Sequence, residues 1–277
     1  MFKRLVKNSI KGLVRGTMRA LPKLPGGEYA FQQLLETGMD EHSLALHNGI
    51  HMKFATPNAL CRYRAESFSS KEPDTLKWID EIPANAVLWD IGANVGLYSI
   101  YAAKVHDCRV FAFEPSVFNL ELLARNVFLN GLQERVTIVP VAVSDALGPS
   151  LFKMSSTAWG GALSTFGQDF DQHGGKLRSI FEYQTMGMTM DDAIRLLHMP
   201  APGFIKIDVD GIEHFILRGG AEVLKGVQSV MIEIDDGFVE QAEETARHLQ
   251  NAGLRLLRKC GGDAGSQYNQ WWVRGSA

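Results

Sequence analysis

The chain has 277 residues, enough for one large domain with extensions. Its 45% hydrophobic and 21% charged content are those of a soluble globular protein, and a net charge of −3 gives no global field for nucleic acid. The three cysteines, Cys61, Cys108 and Cys260, have neither pairing nor metal spacing, and no apolar run approaches the ~20 residues of a membrane span, so a reduced, cytoplasmic compartment is the expectation.

The chain opens on Phe2, Leu5, Val6, Ile10, Leu13, Val14, Met18 and Leu21 at helical spacing. Lys3, Arg4, Lys7, Lys11, Arg15, Arg19 and Lys23 lie among them, and the first acid is Glu28. A basic amphipathic helix of this kind can lie on an anionic membrane surface, which gives an expectation of peripheral membrane contact through residues 1–23. The segment lacks the continuous apolar core of a secretory signal. Its Arg-rich, acid-poor start is also that of an organelle transit peptide, although serine is scarce, and a helix docked on its own domain or on a partner subunit is the plainer reading. Pro22 and Pro25-Gly26-Gly27 are read as ending the helix in a linker, which divides the chain into 1–27 and a domain over 28–277.

Residues 43–55 read as a hairpin turning at Asn48-Gly49. In that hairpin His47 pairs with Ile50 and His51 with Leu46, so His42, His47 and His51 read as solvated or packed side chains rather than a zinc site. Residues 71–80 read as a helix entered through Pro73.

The chemistry concentrates from Val87 to Glu114. An apolar run ends in Asp90, the loop Gly92-Ala93-Asn94-Val95-Gly96 follows, and then a helical pattern and a second apolar run ending in Glu114. That is a βαβ unit with its ligand loop at the carboxyl end of the first strand. Glycines allow a sharp turn and close approach to a ligand, and Glu114 sits where a carboxylate bridges ribose hydroxyls. The D-x-G-x-N-x-G spacing lacks the third glycine of a dinucleotide loop, and no triphosphate-binding loop is present. An acid at the loop entrance suits a positively charged ligand, and S-adenosylmethionine carries an ammonium and a sulfonium but no phosphate.

Beyond Pro115 a helix is expected up to Asn130-Gly131, then a third buried strand over Val136 to Val143. Residues 144–188 are broken by glycines and read as short strands and a possible lid, with Trp159 and His173 read as packed and solvated. Thr189 caps a helix running to Leu197. A fourth strand from Phe204 runs into Asp208-Val209-Asp210-Gly211, a helix starts at Ile212, and Val227 to Ile234 is a fifth strand containing Glu233. A helix over Val239 to Leu249 and strands over Leu254 to Leu257 and Gln270 to Val273 complete an alternating pattern. The expectation is an α/β, doubly wound sheet closed by a terminal antiparallel pair.

The blocks K-E-P-D-T-L-K-W-I-D (71–80), D-I-G-A-N-V-G (90–96), F-E-P (113–115), A-V-S-D (142–145), K-I-D-V-D-G-I-E (206–213) and M-I-E-I (231–234) together resemble the FkbM-type family of S-adenosylmethionine-dependent methyltransferases, over roughly residues 55–275. The resemblance implies a Rossmann-like, seven-stranded class I methyltransferase sheet with an antiparallel last strand. It also implies O-methylation of a hydroxyl on a sugar, lipid or secondary metabolite. By that resemblance Asp90, Gly92, Asn94 and Gly96 hold the methionine end of the cofactor, Glu114 the ribose, and Ala142 and Val143 the adenine, with Ser144 or Asp145 near its amino group. Asp208, His214 and Glu233 are the candidate catalytic groups, with Asp208 first as base or as orienter of one, and His214 attractive for its ordinary pKa near ~6.5. Asp208 and Asp210 with Glu213 are an alternative Mg²⁺ or Ca²⁺ set, although no metal is expected. The acceptor is expected to be a small molecule, glycan or lipid-linked group. The amino-methylating N-P-P-Y motif is missing after the fourth strand, which argues against nucleic acid. A non-catalytic Rossmann module held at membranes is the reading from another class.

Overall fold

The computed structural model describes residues 2–261 and 266–275, with the side chains of residues 2–5 and 7 outside that description. Helices α1 (Phe2–Ala20) and α2 (Gly27–Asp40) are joined by a 3-10 turn over Leu21–Lys23. The Pro25-Gly26-Gly27 stretch is therefore a tight turn, with Gly26 at φ 72 as the left-handed N-cap of α2, and not an open linker. Among the described residues no helix is long and apolar enough to cross a membrane.

The hairpin β1 (His42–His47) and β2 (Ile50–Ala55) has the expected register, His47 opposite Ile50 and Leu46 opposite His51. Short helices α3 (Ala59–Glu66), α4 (Phe68–Lys71) and α5 (Pro73–Asp80) lead into the core. There follow β3 (Val87–Ile91), α6 (Leu97–His106), β4 (Arg109–Phe113), α7 (Val117–Leu129) and β5 (Val136–Val139). Next come β6 (Ala142–Val143), β7 (Gly148–Met154), β8 (Ser164–Phe166), β9 (Phe181–Met188), α8 (Met190–Leu197) and β10 (Phe204–Ile207). The chain ends with α9 (Glu213–Arg218), α10 (Ala221–Leu224), β11 (Ser229–Asp235), α11 (Val239–Asn251), β12 (Leu254–Cys260) and β13 (Gln267–Arg274).

The main sheet has seven strands in the order β12-β13-β11-β10-β3-β4-β5, parallel except for β13, which runs antiparallel to both neighbours. This is the doubly wound, Rossmann-like sheet with an antiparallel last strand. Side-chain alternation splits its core into two layers. Trp89, Ile91, Phe111 and Ile205 pack with α8, α9 and α11 on one face, while Leu88, Val110, Ala112 and Met231 pack with α5, α6 and the hairpin on the other.

The apolar run Val136 to Val143 is not one strand. Pro140 has no N–H to continue the ladder, so Val136–Val139 ends the main sheet and Ala142–Val143 pairs with Gly187 and Met188 in a second sheet, β6-β9-β7-β8. That small sheet buries Phe152, Met154, Phe166 and Met188 against the first layer.

Ser229 ties three elements together. Its hydroxyl accepts from the indole N–H of Trp78 (2.9 Å) and of Trp271 (3.1 Å) and donates to the Trp272 carbonyl (2.8 Å). Ser229→Ala leaves two buried indole donors unpaired, so it should lower the free energy of unfolding in urea by about 2–4 kcal/mol. A change within ±0.5 kcal/mol would mean that the indoles find other partners.

Candidate active site

The carboxyl ends of β3, β4, β10 and β11 open into a cleft of about 270 Å³. Its lining includes Gly92, Asn94, Glu114, Asp208, Asp210 and Glu233, together with Arg64, Lys71 and Glu72 from the N-terminal helices and Gly161 to Ser164 from the segment after β7.

The glycine loop is held by its own geometry. Gly92 sits at φ 83, and a Cβ there would collide with the carbonyl oxygen of Asp208. Gly96, also at φ 83, caps α6 and faces Leu123 too closely for a side chain. So these glycines serve protein-to-protein approach at least as much as approach to a ligand. Asn94 donates its backbone N–H to Glu114 (2.8 Å) and its side-chain amide to the Gly161 carbonyl (2.8 Å). Glu114 accepts a second backbone N–H from Ser116 (2.7 Å). Burial raises its carboxyl to about 7 against these two donors.

Asp90 lies beneath the loop and outside the cleft lining. It is 1% exposed, one oxygen accepts from the Ser99 hydroxyl (2.6 Å), and the other has no hydrogen-bond partner among the described residues. Burial holds its pKa up in spite of Lys206. Lys206 stands next to Asp90 in the sheet register, is 3% exposed, and donates to Asp208 (2.9 Å). Burial would raise the Asp208 carboxyl, but Lys206, with Lys71 and Arg64, holds it below the usual carboxylate range.

The acids around Asp208 go the other way. Asp210, in the left-handed region at φ 62, accepts from the backbone N–H of Leu163 (2.6 Å) and Ser164 (3.2 Å), and burial and then Asp208 raise it to about 6. Glu233 accepts from Gln267 (2.9 Å) and is raised to about 9 by burial first and then by Asp208. Burial thus favours its protonated form.

Other expected positions fall elsewhere. His214 is 1% exposed, packs tilted against Phe215 and edge-on to Phe238 rather than lining the cleft, and burial and Arg218 lower it to about 4. A position in the first helical turn reads as solvent-facing only if nothing covers it, and Phe238 does. Glu213 is buried and turned to the backbone N–H groups of Gly211 and Val209 and to Gln241. It thus holds the loop after β10 and does not join Asp208 and Asp210 as a metal ligand set; among the described residues no group of three such side chains is placed to hold a metal. Asp145 pairs with Arg218 (3.2 Å) away from the cleft lining, while Ala142 and Val143 line an apolar slot that shares Gly92, Pro115, Phe152, Ser164 and Val209 with the cleft. Ser144 donates to Asp145 (3.3 Å). His173 is half-exposed and paired with Asp235.

Several lining groups were illegible in sequence. Asn119 accepts from Gly160 N–H (3.1 Å) and donates to the Gly161 carbonyl (3.1 Å), and Arg64 donates to the Gly160 carbonyl (2.9 Å). These bonds hold residues 159–164 as a strap along the cleft wall, which Gly161 to Ser164 line. The Gly160-Gly161 pair was the one available signal.

Glu233 gives the site a signature in stability. An acid raised in the folded state contributes stability that is full below the unfolded carboxyl range and lost as pH rises through the folded value. Compared with Glu233→Gln, the unmodified protein should lose stability as pH rises from about 5 to about 9, by up to about 1 kcal/mol per unit. Parallel urea-unfolding series for the two proteins would show instead that Glu233 titrates alike in both states.

Known proteins carry the same pattern. Residues 90–261, more than half of the chain, match the profile of the Methyltransferase FkbM domain. The chain is 26% identical over 171 residues to the hexuronic acid methyltransferase AglP of Haloferax volcanii, covering 60% of this chain and 63% of that protein. It is 32% identical over 71 residues to the methyltransferase sdnD of Sordaria araneosa, covering 25% and 27%. It thus spans less than two thirds of each relative's own length. A solved FkbM methyltransferase from Methylobacillus flagellatus superposes with a TM-score of 0.49 at 16% identity, covering 70% of this chain and 44% of that one. With the glycine loop, Glu114 and the Asp208 loop all inside the matched stretch, the chain belongs to the FkbM methyltransferase family.

Proposed function

We propose that this enzyme transfers the methyl group of S-adenosylmethionine to a hydroxyl of a sugar, a sugar-bearing lipid or a small secondary metabolite. The observation that carries the reading is the position of Asp208. It is an ionised carboxylate, fixed 2.9 Å from Lys206, in the cleft that also holds Gly92, Asn94 and Glu114. The name of the AglP relative, a hexuronic acid methyltransferase, supports the sugar class.

In this reading Glu114 takes the ribose hydroxyls, the Ala142–Val143 slot takes the adenine, and the loop from Gly92 to Gly96 takes the methionine end, with Asp90 acting from below through its charge. Asp145 is left out of the adenine site by its pairing with Arg218. The reaction is an in-line displacement at carbon. The acceptor oxygen attacks the methyl group, the carbon–sulfur bond breaks, and its electron pair stays on sulfur. Alignment supplies most of the rate because the sulfonium already leaves well. As the new carbon–oxygen bond forms, the hydroxyl proton becomes strongly acidic. A weak carboxylate base such as Asp208 then suffices, provided it is ionised and in contact. Glu233 enters as a neutral donor to the acceptor, and no divalent metal is invoked.

We place catalysis in residues 28–277 and a separate role in 1–27. The side chains of Val6, Ile10, Leu13 and Val14 on α1 are 41%, 56%, 73% and 53% exposed, on a helix whose charges are all basic. That favours contact with anionic lipid, at ~1 kcal/mol per basic residue near the surface and screened by salt.

Two experiments test these readings. With radiolabelled S-adenosylmethionine and a lysate separated into lipid, glycan and small-molecule pools, label should enter one pool, and Asp208→Asn should cut transfer by about 10²- to 10⁴-fold with cofactor affinity little changed. Near-normal transfer by that variant removes Asp208 from the base role. In co-sedimentation, the full chain should bind anionic vesicles reversibly, less at high salt, and not neutral ones. A chain lacking residues 1–23 should bind neither, and equal behaviour of the two chains would defeat the membrane role.

A further inference from the structure

The methionine end of S-adenosylmethionine carries a carboxylate as well as an ammonium, and the glycine loop has no donor left for it. Gly92 and Ala93 N–H both go to the Phe113 carbonyl (3.0 and 2.9 Å), and Asn94 N–H goes to Glu114 (2.8 Å). Val95 N–H goes to the Asn94 side chain (3.0 Å) and Gly96 N–H to the Ala93 carbonyl (2.8 Å). Acids line much of the rest of the cleft. Two cations line it as well, Arg64 from α3 and Lys71 from α4, and both lie outside the stretch that matches the family profile.

Arg64 uses one donor on the protein: its Nε bonds the Gly160 carbonyl (2.9 Å), and its Nη1 and Nη2 make no hydrogen bond among the described residues. Lys71 is 3.2 Å from Glu72 but 43% exposed, a loose pairing. Both also line the smaller cavity between α3, α4 and the glycine loop, where Leu97 and Tyr98 bring the first turn of α6. Backbone N–H groups of a first helical turn lack intrahelical partners and favour an anion. Lys206 lines that cavity too, but its ammonium is committed to Asp208.

We propose that Arg64, assisted by Lys71, binds the carboxylate of the methionine end of S-adenosylmethionine. This rests on the cofactor reading above and adds to it a residue from outside the matched domain. A guanidinium presents a planar fork that fits a carboxylate through two parallel N–H bonds, so the free Nη pair is the suitable half of this side chain. With Nε on Gly160, the same residue links the cofactor to the strap along the cleft wall.

The test uses titration calorimetry with two probes, S-adenosylmethionine and decarboxylated S-adenosylmethionine, which keeps the ammonium, sulfonium and adenosine and lacks only the carboxylate. The unmodified protein should prefer the intact cofactor by about 10- to 100-fold. Arg64→Met should erase most of that preference with little change for the decarboxylated probe, Arg64→Lys should keep part of it, and Lys71→Met should reduce it a few-fold. Equal loss of both probes in Arg64→Met would mean that Arg64 acts only by holding Gly160, and an intact preference would place the carboxylate elsewhere; either result overturns the proposal. An unmodified protein that binds neither probe overturns the cofactor reading itself, and this proposal with it.

Discussion

The site depends on one close approach, that of Gly92 to the Asp208 carbonyl. β3 and β10 are parallel neighbours, Ile91 opposite Ile207, and the ladder continues one step further through Asp208 N–H to the Ile91 carbonyl at 3.0 Å. There the two chains run so close that no Cβ fits at position 92. The loops leaving the two strands therefore rest against each other, and whatever Asp208 does chemically, it does beside the glycine loop. A glycine usually credited to ligand approach is required here first by the protein itself.

The same contact sets an electrostatic problem. Asp90 and Asp208 flank one buried position, and two carboxylates in a dry layer repel each other. Lys206 occupies that position, 5.0 Å from the Tyr98 ring centre and bonded to Asp208, so that burial is outweighed by its two carboxylate neighbours and its ammonium is held charged. Around this fixed core the acids divide. Asp208 has the lysine and stays ionised, whereas Glu114, Asp210 and Glu233 have mainly backbone or amide donors and hold their protons more tightly. The cleft is thus less negative than its acids suggest. A cationic ligand entering it would draw these groups towards ionisation and release protons, so its charge is partly met on demand.

How much of this was legible follows from the range of each signal. The strand-loop-helix unit, the Asn48-Gly49 hairpin and its register, the Thr189 cap and the terminal antiparallel pair are local or periodic patterns, and the structure has them where the sequence places them. The strand over residues 136–143 failed because an apolar run does not say which sheet it joins, although Pro140 marked the break. Pro25-Gly26-Gly27 hides helix α2 because it reads as punctuation, and punctuation caps a helix as readily as it ends one. Phe31, Leu34, Leu35 and Met39 are at helical spacing, yet Leu34 and Leu35 are about half exposed. His214 and Asp145 were misplaced by partners far along the chain, Phe238 and Arg218, which no local pattern announces.

The walls of the cleft consequently draw on a part of the chain that its floor does not. The floor, made by Gly92, Asn94, Glu114, Asp208 and Asp210, lies within the stretch that matches the FkbM domain. The walls come partly from α3, α4 and the residue after them, ahead of that stretch, and partly from the strap at residues 159–164. Hydrogen bonds tie the two together at several points. Asn126, 0% exposed, accepts from Ala55 N–H (2.7 Å) and donates to the Val95 carbonyl (2.8 Å), so it joins the hairpin to the glycine loop. Arg64 and Asn94 meet on adjacent strap residues, Gly160 and Gly161. The strap is thus bonded at once to the N-terminal helices, to the glycine loop and, through Asp210, to the loop after β10. One short segment thus joins three parts of the cleft lining, one of which lies ahead of the matched stretch.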